Sequence, residues 1–193
     1  MDIKNKENIK ESRFIIQNMF ISDTKGEYQV SLQDGSGKLI ESTLMLERNI
    51  ESKTYILLKS LDEIVGISSF QPNFIKIDTD GFDFKVLRSA KQTLIKYKPC
   101  IYFEWDKFHL ESQQEKPISI FSYLLSLGYE ECMIFDNFGN AICVINSCDC
   151  QNLQMLLDYT KNSQCNIYYY DVLSFHKDSK LSIKEYRDFT IKS

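Results

Sequence analysis

The chain has 193 residues, of which 43% are hydrophobic and 26% are charged, and its formal net charge is −4. This composition is that of an ordinary folded domain, and it excludes a chain that is mainly disordered or of low complexity. No run of about 18 apolar residues is present, so we expect no membrane span. Lysine and arginine form no basic stripe, which makes nucleic acid a poor partner.

The N-terminal residues lack the apolar segment of a signal peptide, so we expect a cytoplasmic protein. The six cysteines are then expected to be reduced thiols. Cys148 and Cys150 are too closely spaced for a C-x2-C metal pair, and the sequence leads us to assign no metal site.

The first part of the chain predicts short strands joined by turns. Lys38 follows a glycine-containing turn, but the G-x4-G-K-[ST] spacing of a phosphate loop is not met, so a hairpin tip is favoured. Pro72 separates this part from the next strand. The predicted elements are a polar helix end at 1–12, strands at 14–21 and 27–33, a turn at 34–37, extended segments at 44–46 and 55–58, and a short helix from residue 61.

The clearest pattern lies in the middle of the chain. Residues 74–78 form a short apolar run that predicts a buried strand, and this run ends at Asp78, Asp80 and Gly81. A helix is predicted over 82–97 from its apolar spacing, with Asp80 as its cap. Because ligands bind outside the carboxyl ends of strands in open α/β sheets, we expect these acids at a binding site.

The remainder of the chain continues this alternation. A second buried strand at 100–103 is followed by Glu104, and Pro117 opens a helix whose cap is Gly128. The other predicted elements are a hairpin of strands 132–135 and 141–145, a helix near 153–160, a strand at 167–175 and a polar tail. This order favours an α/β fold with parallel strands, crossover helices and an antiparallel hairpin at one edge.

These motifs, in this order, resemble the FkbM family of methyltransferases. That family shows a strand ending in Ile-Asp-x-Glu-Gly, a helix with Val-Leu and Gly-Ala, a Lys-Pro pair and a strand ending in Phe-Glu. The matching residues here are Ile77-Asp78-Thr79-Asp80-Gly81, Val86-Leu87, Ala90, Lys98-Pro99 and Phe103-Glu104. The resemblance covers about residues 10–145, and it departs at Asp80, where glutamate is usual, and at Ser89, where glycine is usual.

The resemblance implies an S-adenosylmethionine-dependent O-methyltransferase that modifies a hydroxyl of a sugar, a glycolipid or a related metabolite. It implies a Rossmann-like class I methyltransferase sheet in a single domain over 1–193, with 146–193 as a C-terminal extension of helix and strand. No glycine-rich Asp/Glu-x-Gly-x-Gly loop follows a strand, so we expect the sheet to be incomplete on its N-terminal side. The open edge of strand 74–78 would then be covered by a partner chain or in a homo-oligomer.

Three acids are candidate catalytic residues. Asp78 is expected to be a general base or a metal ligand near the acceptor hydroxyl, or else to bind backbone N–H groups of the next helix. Asp80 is either catalytic or a helix cap. Glu104, at the end of the neighbouring strand, is expected to share the cleft with Asp78, and coupling between the two like charges would raise one pKa.

Four further residues receive binding roles from the resemblance. Ser22 and Asp23 follow the third strand of the family fold, where related proteins contact adenine, although a turn is the simpler explanation. Trp105 and His109 are candidate substrate contacts. The alternatives are a core or rim aromatic for Trp105 and a surface loop residue for His109.

Two other functions stay open from the sequence. The chain could be a non-catalytic remnant of the same descent, a product of a truncated reading frame, or an interaction domain that depends on a partner. Asp78-Thr79-Asp80-Gly81 also resembles the nucleophile loop of magnesium-dependent phosphatases of the haloacid dehalogenase type. That family has threonine or valine where Phe82 stands, and it needs a downstream strand ending in Gly-Asp or Asp-Asp that this chain lacks.

Overall fold

A computed structural model describes residues 15–17, 19–24, 26–33, 36–41, 55–161 and 166–191 of the chain. These residues form two sheets and seven helices, a mixed α/β architecture. The helix end predicted at 1–12, the segment predicted at 44–46 and the first half of the turn at 34–37 lie outside them. None of the described helices is long and apolar enough to cross a bilayer.

The strands are β1 (Phe20–Ile21), β2 (Gly26–Gln33), β3 (Ser36–Glu41), β4 (Tyr55–Lys59), β5 (Phe74–Ile77), β6 (Cys100–Trp105), β7 (Glu131–Asp136), β8 (Ala141–Asn146) and β9 (Tyr170–Phe175). The helices are α1 (Leu61–Ile67), α2 (Asp83–Ser89), α3 (Lys91–Tyr97), α4 (Lys107–Ser112), α5 (Ser119–Ser126), α6 (Cys150–Thr160) and α7 (Ile183–Ile191).

The smaller sheet has the strand order β1-β4-β2-β3. β1 pairs in parallel with β4, whereas β2 pairs antiparallel with both β3 and β4. The strands predicted at 27–33 and 55–58 are confirmed as β2 and β4. Of the strand predicted at 14–21, the described residues show only the two of β1.

The larger sheet has the order β5-β6-β9-β7-β8. β5 and β6 are parallel, and β7 and β8 form the antiparallel hairpin that the sequence predicted at one edge. β9 lies between β6 and β7 and is antiparallel to both, a position that the sequence did not predict. The segment 146–193 therefore contributes one strand, β9, to the interior of the sheet.

The core sits on both faces of this sheet. In β6 the side chains of Ile101, Phe103 and Trp105 are fully buried on one face, in a cluster that includes residues of α2, α3, α5 and α6. On the opposite face, Leu173 and Ile183 belong to a smaller cluster. The side-chain period of two in a strand explains why alternate residues of β6 serve the two faces.

The helix predicted over 82–97 is divided at Ala90 into α2 and α3. The hydroxyl of Ser89 donates to the carbonyl of Val86 and accepts from the amide of Leu61, so the side chain competes for backbone groups at this point. The cap predicted for Asp80 is wrong, because α2 begins after Phe82 without a side-chain cap. The Asp83 carboxylate instead reaches back to the amide of Gly81.

Two helices were not predicted. α4 begins after Asp106, whose carboxylate accepts from the amides of Phe108 and His109. α7 occupies the supposedly polar tail, with a reciprocal pair of bonds between Ser182 and Glu185 at its start. Serine followed three residues later by glutamate is a known helix-start signal, so α7 could have been found from the sequence.

Candidate functional site

The carboxyl ends of β5 and β6 lie side by side. Their register pairs Ile77 with Phe103, which places Asp78 and Glu104 at neighbouring positions along one edge of the sheet. This adjacency was predicted, and it follows from the parallel pairing of the two strands. The edge is therefore where the acids from both strand ends can act together.

The turn after β5 has an unusual backbone. Asp80 has φ 47° and Gly81 has φ 97°, both in the left-handed region that favours glycine. The Asp83 carboxylate fixes this turn, because its Oδ2 accepts from the Gly81 amide at 3.2 Å and from the Thr79 hydroxyl at 3.1 Å. Nothing in the local sequence indicates that Asp83 is buried.

Among the described residues, one group of three side chains of metal-ligating types lies close together. Ligand atoms of Asp80, Glu104 and His109 all lie within 4.8 Å of one another. His109 Nδ1 is 3.6 Å from Glu104 Oε1 and 3.4 Å from Asp106 Oδ2. His109 is carried by α4, which Asp106 caps, so the helix start determines where the imidazole lies.

Glu104 is held in a strongly acidic environment. Its pKa is raised to about 7, first by burial and then by the charges of Asp83 and Asp106, while the interaction with the His109 side chain acts to lower it. Asp78 contributes last to this shift, so the coupling predicted between Asp78 and Glu104 is weaker than burial and than the coupling to Asp83. Burial also raises the pKa of Asp83. A positive charge at this point would relieve the crowding of carboxylates.

A cleft of about 520 Å³ lies beside β5. Asp78, Thr79 and Asp80 line its polar end. Asp78 pairs with Lys76 at 2.9 Å, and both side chains are more than half exposed. The other lining residues are Met19, Phe20, Ile21, Leu61, Ile75, Lys76, Ile77, Phe82 and Val86, and Glu104, which was predicted to share the cleft with Asp78, is not among them.

The family model described as the methyltransferase FkbM domain matches residues 5–131, more than half of the chain. The chain belongs to the FkbM methyltransferase family. The comparisons with curated proteins and with solved structures found no match. Membership decides against the phosphatase alternative, and the FkbM family in general uses S-adenosylmethionine.

The FkbM match includes the carboxyl ends of β5 and β6 but stops at Glu131, the first residue of β7. At the position where the family usually has glycine, Ser89 lies buried at the end of α2 and its hydroxyl joins that helix to Leu61. At the position of the usual glutamate, Asp80 is exposed and still contributes to the acidic group with Glu104. Both departures therefore have a defined place in the fold.

Ser22 and Asp23, the predicted cofactor contacts of the FkbM domain, do not line the cleft. Ser22 is buried, and its hydroxyl lies 3.0 Å from that of Thr24. Asp23 accepts a hydrogen bond from Arg88 Nε at 2.5 Å, and the same guanidinium holds Glu115 through two further bonds. The structure thus places Asp23 in an ionic network that connects β1 to α2.

Trp105 does not line the cleft. Its side chain is fully buried, its Nε1 donates to the carbonyl of Pro117 at 2.7 Å, and its ring meets Phe121 edge-on at 4.8 Å. The substrate contact proposed for it disagrees with this burial, and the alternative of a core aromatic describes it correctly. The alternation of Ile101 and Phe103 with Trp105 was the signal available in the sequence.

Proposed function

We propose that this FkbM domain is an S-adenosylmethionine-dependent O-methyltransferase that acts on a hydroxyl of a sugar, a glycolipid or a related metabolite. The observation that carries the proposal is the acidic end of β5, where Asp78 stands at the polar end of the cleft. Family membership supplies the reaction class. The acceptor class comes from the resemblance to FkbM enzymes alone.

The larger sheet is proposed to be part of a Rossmann-like class I methyltransferase sheet. Its parallel strands β5 and β6 are joined through α2 and α3, as in a crossover connection of such sheets. Among the described residues β5 pairs only with β6, and its other edge faces the cleft. A further strand at that edge, parallel to β5, would continue the parallel part of the sheet.

The cleft has features that suit the cofactor. Ile75, Ile77 and Phe82 offer apolar surface for an adenine ring and a thioether chain. The carboxylates of Asp78 and Asp80 offer negative charge for the ammonium and sulfonium groups. When bound, S-adenosylmethionine supplies an electrophilic methyl group on its sulfonium sulfur.

Asp78 is assigned the role of proton acceptor. A hydroxyl oxygen becomes more nucleophilic as its proton is removed, and a carboxylate within hydrogen-bond reach can take that proton. Asp78 is exposed at the cleft, and the one ion pair that it makes among the described residues is with the exposed Lys76. This pair is readily opened, because exposed ion pairs contribute only about 0–1 kcal/mol.

The test is calorimetric titration of the full chain with S-adenosylhomocysteine, combined with a methyl-transfer assay on a panel of glycosides and glycolipids with labelled donor. We expect saturable binding, a thermal shift and transfer to at least one hydroxyl. Asp78→Asn should abolish transfer but only weaken binding, because Asp80 keeps its negative charge at the cleft, and Asp158→Asn, an exposed acid on α6, should change neither. The absence of both heat and thermal shift would exclude the enzyme proposal for this chain alone.

A second candidate is a domain that works only with a partner chain. The open edge of β5 favours it, because an edge strand offers unpaired backbone groups to an added strand. Phe74 on this strand is 55% exposed. Light scattering coupled to gel filtration should then show an oligomer that Phe74→Lys weakens, and a monomer at all accessible concentrations would contradict self-association.

A further inference from the structure

We propose that Asp80, Glu104 and His109 form a binding site for one divalent transition-metal ion. The three ligands come from the turn after β5, from β6 and from α4. They therefore converge from separate parts of the chain on one point at the carboxyl edge of the sheet. Binding of the ion can be measured whether or not the domain transfers methyl groups.

The distances suit a common ion after small side-chain rotations. All three ligand atoms lie within 4.8 Å of one another, and His109 Nδ1 is 3.6 Å from Glu104 Oε1. Ligands on opposite sides of an ion with bonds of about 2.0–2.2 Å are about 4.2 Å apart. Asp80 is exposed and free to make that adjustment.

The donor set indicates which kind of ion is bound. Two carboxylates with one imidazole suit ions such as Mn²⁺, Fe²⁺ or Zn²⁺, whereas Mg²⁺ prefers oxygen ligands and retains its water. Three protein ligands leave coordination positions open for water or for an oxygen of a bound molecule. An acceptor oxygen near Asp78 would lie at the same edge of the sheet.

An independent observation supports a cation at this point. Asp83 is only 1% exposed, and its Oδ1 has no hydrogen-bond partner although its Oδ2 has two. The Oδ2 of Asp83 accepts hydrogen bonds from Thr79 and Gly81, which flank Asp80, so this carboxylate lies beside the proposed site. A buried carboxylate oxygen without a partner is costly, and a cation or a water bound to the cation would satisfy it.

His109 gives a second indication. Its Nδ1 is buried and has no hydrogen-bond partner, although carboxylates of Glu104 and Asp106 lie at 3.6 and 3.4 Å. If the imidazole and a carboxylate only stabilised the fold, we would expect them to form a charged hydrogen bond with an N–O distance of about 2.7–2.9 Å. The wider spacing leaves room for an ion among these groups.

The experiment uses the full chain after treatment with a chelator. Titration with MnCl₂, followed by electron paramagnetic resonance of free Mn²⁺ and by calorimetry, should give one ion per chain. Asp80→Asn, Glu104→Gln and His109→Gln should each weaken binding at least about tenfold. Glu130→Gln, an exposed acid outside the group, is the matched control and should bind as the unchanged chain does. Zn²⁺ should displace Mn²⁺ far better than Mg²⁺ does.

Folding of each variant is verified by the fluorescence of the single, buried Trp105. Asp80→Asn alters an exposed side chain, so it tests the site even if a buried substitution unfolds the chain. No uptake of Mn²⁺ or Zn²⁺, or equal affinity in the folded Asp80→Asn variant, would overturn the proposal. Binding of S-adenosylhomocysteine is measured in a separate titration without metal. Uptake of Mn²⁺ without binding of S-adenosylhomocysteine would count against the methyltransferase proposal and leave the metal site standing.

Discussion

The carbonyl oxygen of His109 lies so close to Gly81 that a β-carbon added to Gly81 would be 2.5 Å from it. Gly81 also has φ 97°, a conformation that side chains disfavour. The turn after β5 and the helix α4 can therefore approach one another only because this residue is glycine. This contact brings Asp80 and His109 together.

We expect Gly81→Ala to lower the free energy of unfolding by about 2 kcal/mol or more, from left-handed strain together with the clash. Urea unfolding followed by Trp105 fluorescence measures it. Gly66→Ala is the control, because Gly66 lies inside α1 with nothing near its added β-carbon. That change should be neutral or stabilise the chain by up to about 1 kcal/mol. Equal effects of the two substitutions would contradict the close contact at Gly81.

Removing the charge of Asp83 should lower the pKa of Glu104. Asp83 is the strongest of the charges that raise this pKa to about 7, and burial is a larger cause than any of them. In Asp83→Asn the pKa should therefore fall but stay above the usual value near 4.3. Carboxyl-carbon NMR of chelator-treated protein measures it, and Asp158→Asn on the exposed face of α6 should leave it unchanged. A rise in the Asp83→Asn variant would show that the two carboxylates do not face one another.

Arg88 should be hard to replace even by lysine. It forms two hydrogen bonds to Glu115 at 2.6 and 2.9 Å and one to Asp23, and Glu115 is only 11% exposed. Lysine cannot make the forked contact, so Arg88→Lys should cost about 1–3 kcal/mol of unfolding free energy. Lys161→Gln breaks an exposed pair with Asp158 and should cost no more than about 0.5 kcal/mol. Thermal and urea unfolding compare the two, and similar costs would argue against the network.

Acidification should destabilise the chain through His176. This side chain is buried under Gly128 and against Tyr129, and burial and the charge of Lys98 lower its pKa. The unfolded chain, with a histidine pKa near 6.5, takes up a proton before the folded chain does. The contribution of this group is therefore fully present above about pH 6.5 and is lost as the pH falls from there through the lowered folded value.

Unfolding free energies measured between about pH 7.5 and about pH 5 should fall more steeply for the unchanged chain than for His176→Gln. The raised pKa of Glu104 has the opposite effect on the unfolding free energy: acidification stabilises the folded state through this group, because the folded state favours the protonated acid. The comparison of slopes between the two proteins cancels this contribution. Identical slopes would mean that His176 titrates alike in the folded and unfolded chains.

Local signals predicted the middle of the fold well. Apolar runs bounded by Pro72 and Pro99 gave β5 and β6, and the turn residues 136–140 gave the hairpin of β7 and β8. The adjacency of Asp78 and Glu104 followed from parallel pairing alone. These features depend on residues close together in sequence or on a general rule for sheets.

The missed features depend on distant contacts. Nothing near Asp83 in the sequence shows that its carboxylate is buried beside Glu104, which lies on another strand. The placement of Asp23 depends on Arg88, which is 65 positions away. The position of β9 depends on pairing with β6 and β7. Such contacts form only between segments that are distant in the sequence, which explains why the predicted site lacked Asp83.

The central place of β9 has a consequence for synthesis on the ribosome. β6 and β7 are made early, but the strand that lies between them is the last of the sheet to emerge. Until then both present unpaired backbone groups, which makes the nascent chain prone to wrong pairing with its neighbours. A shortened chain that ended with the family match at residue 131 would lack β7 and β9 and leave the edge of β6 permanently unpaired, so expression of that fragment should yield insoluble protein.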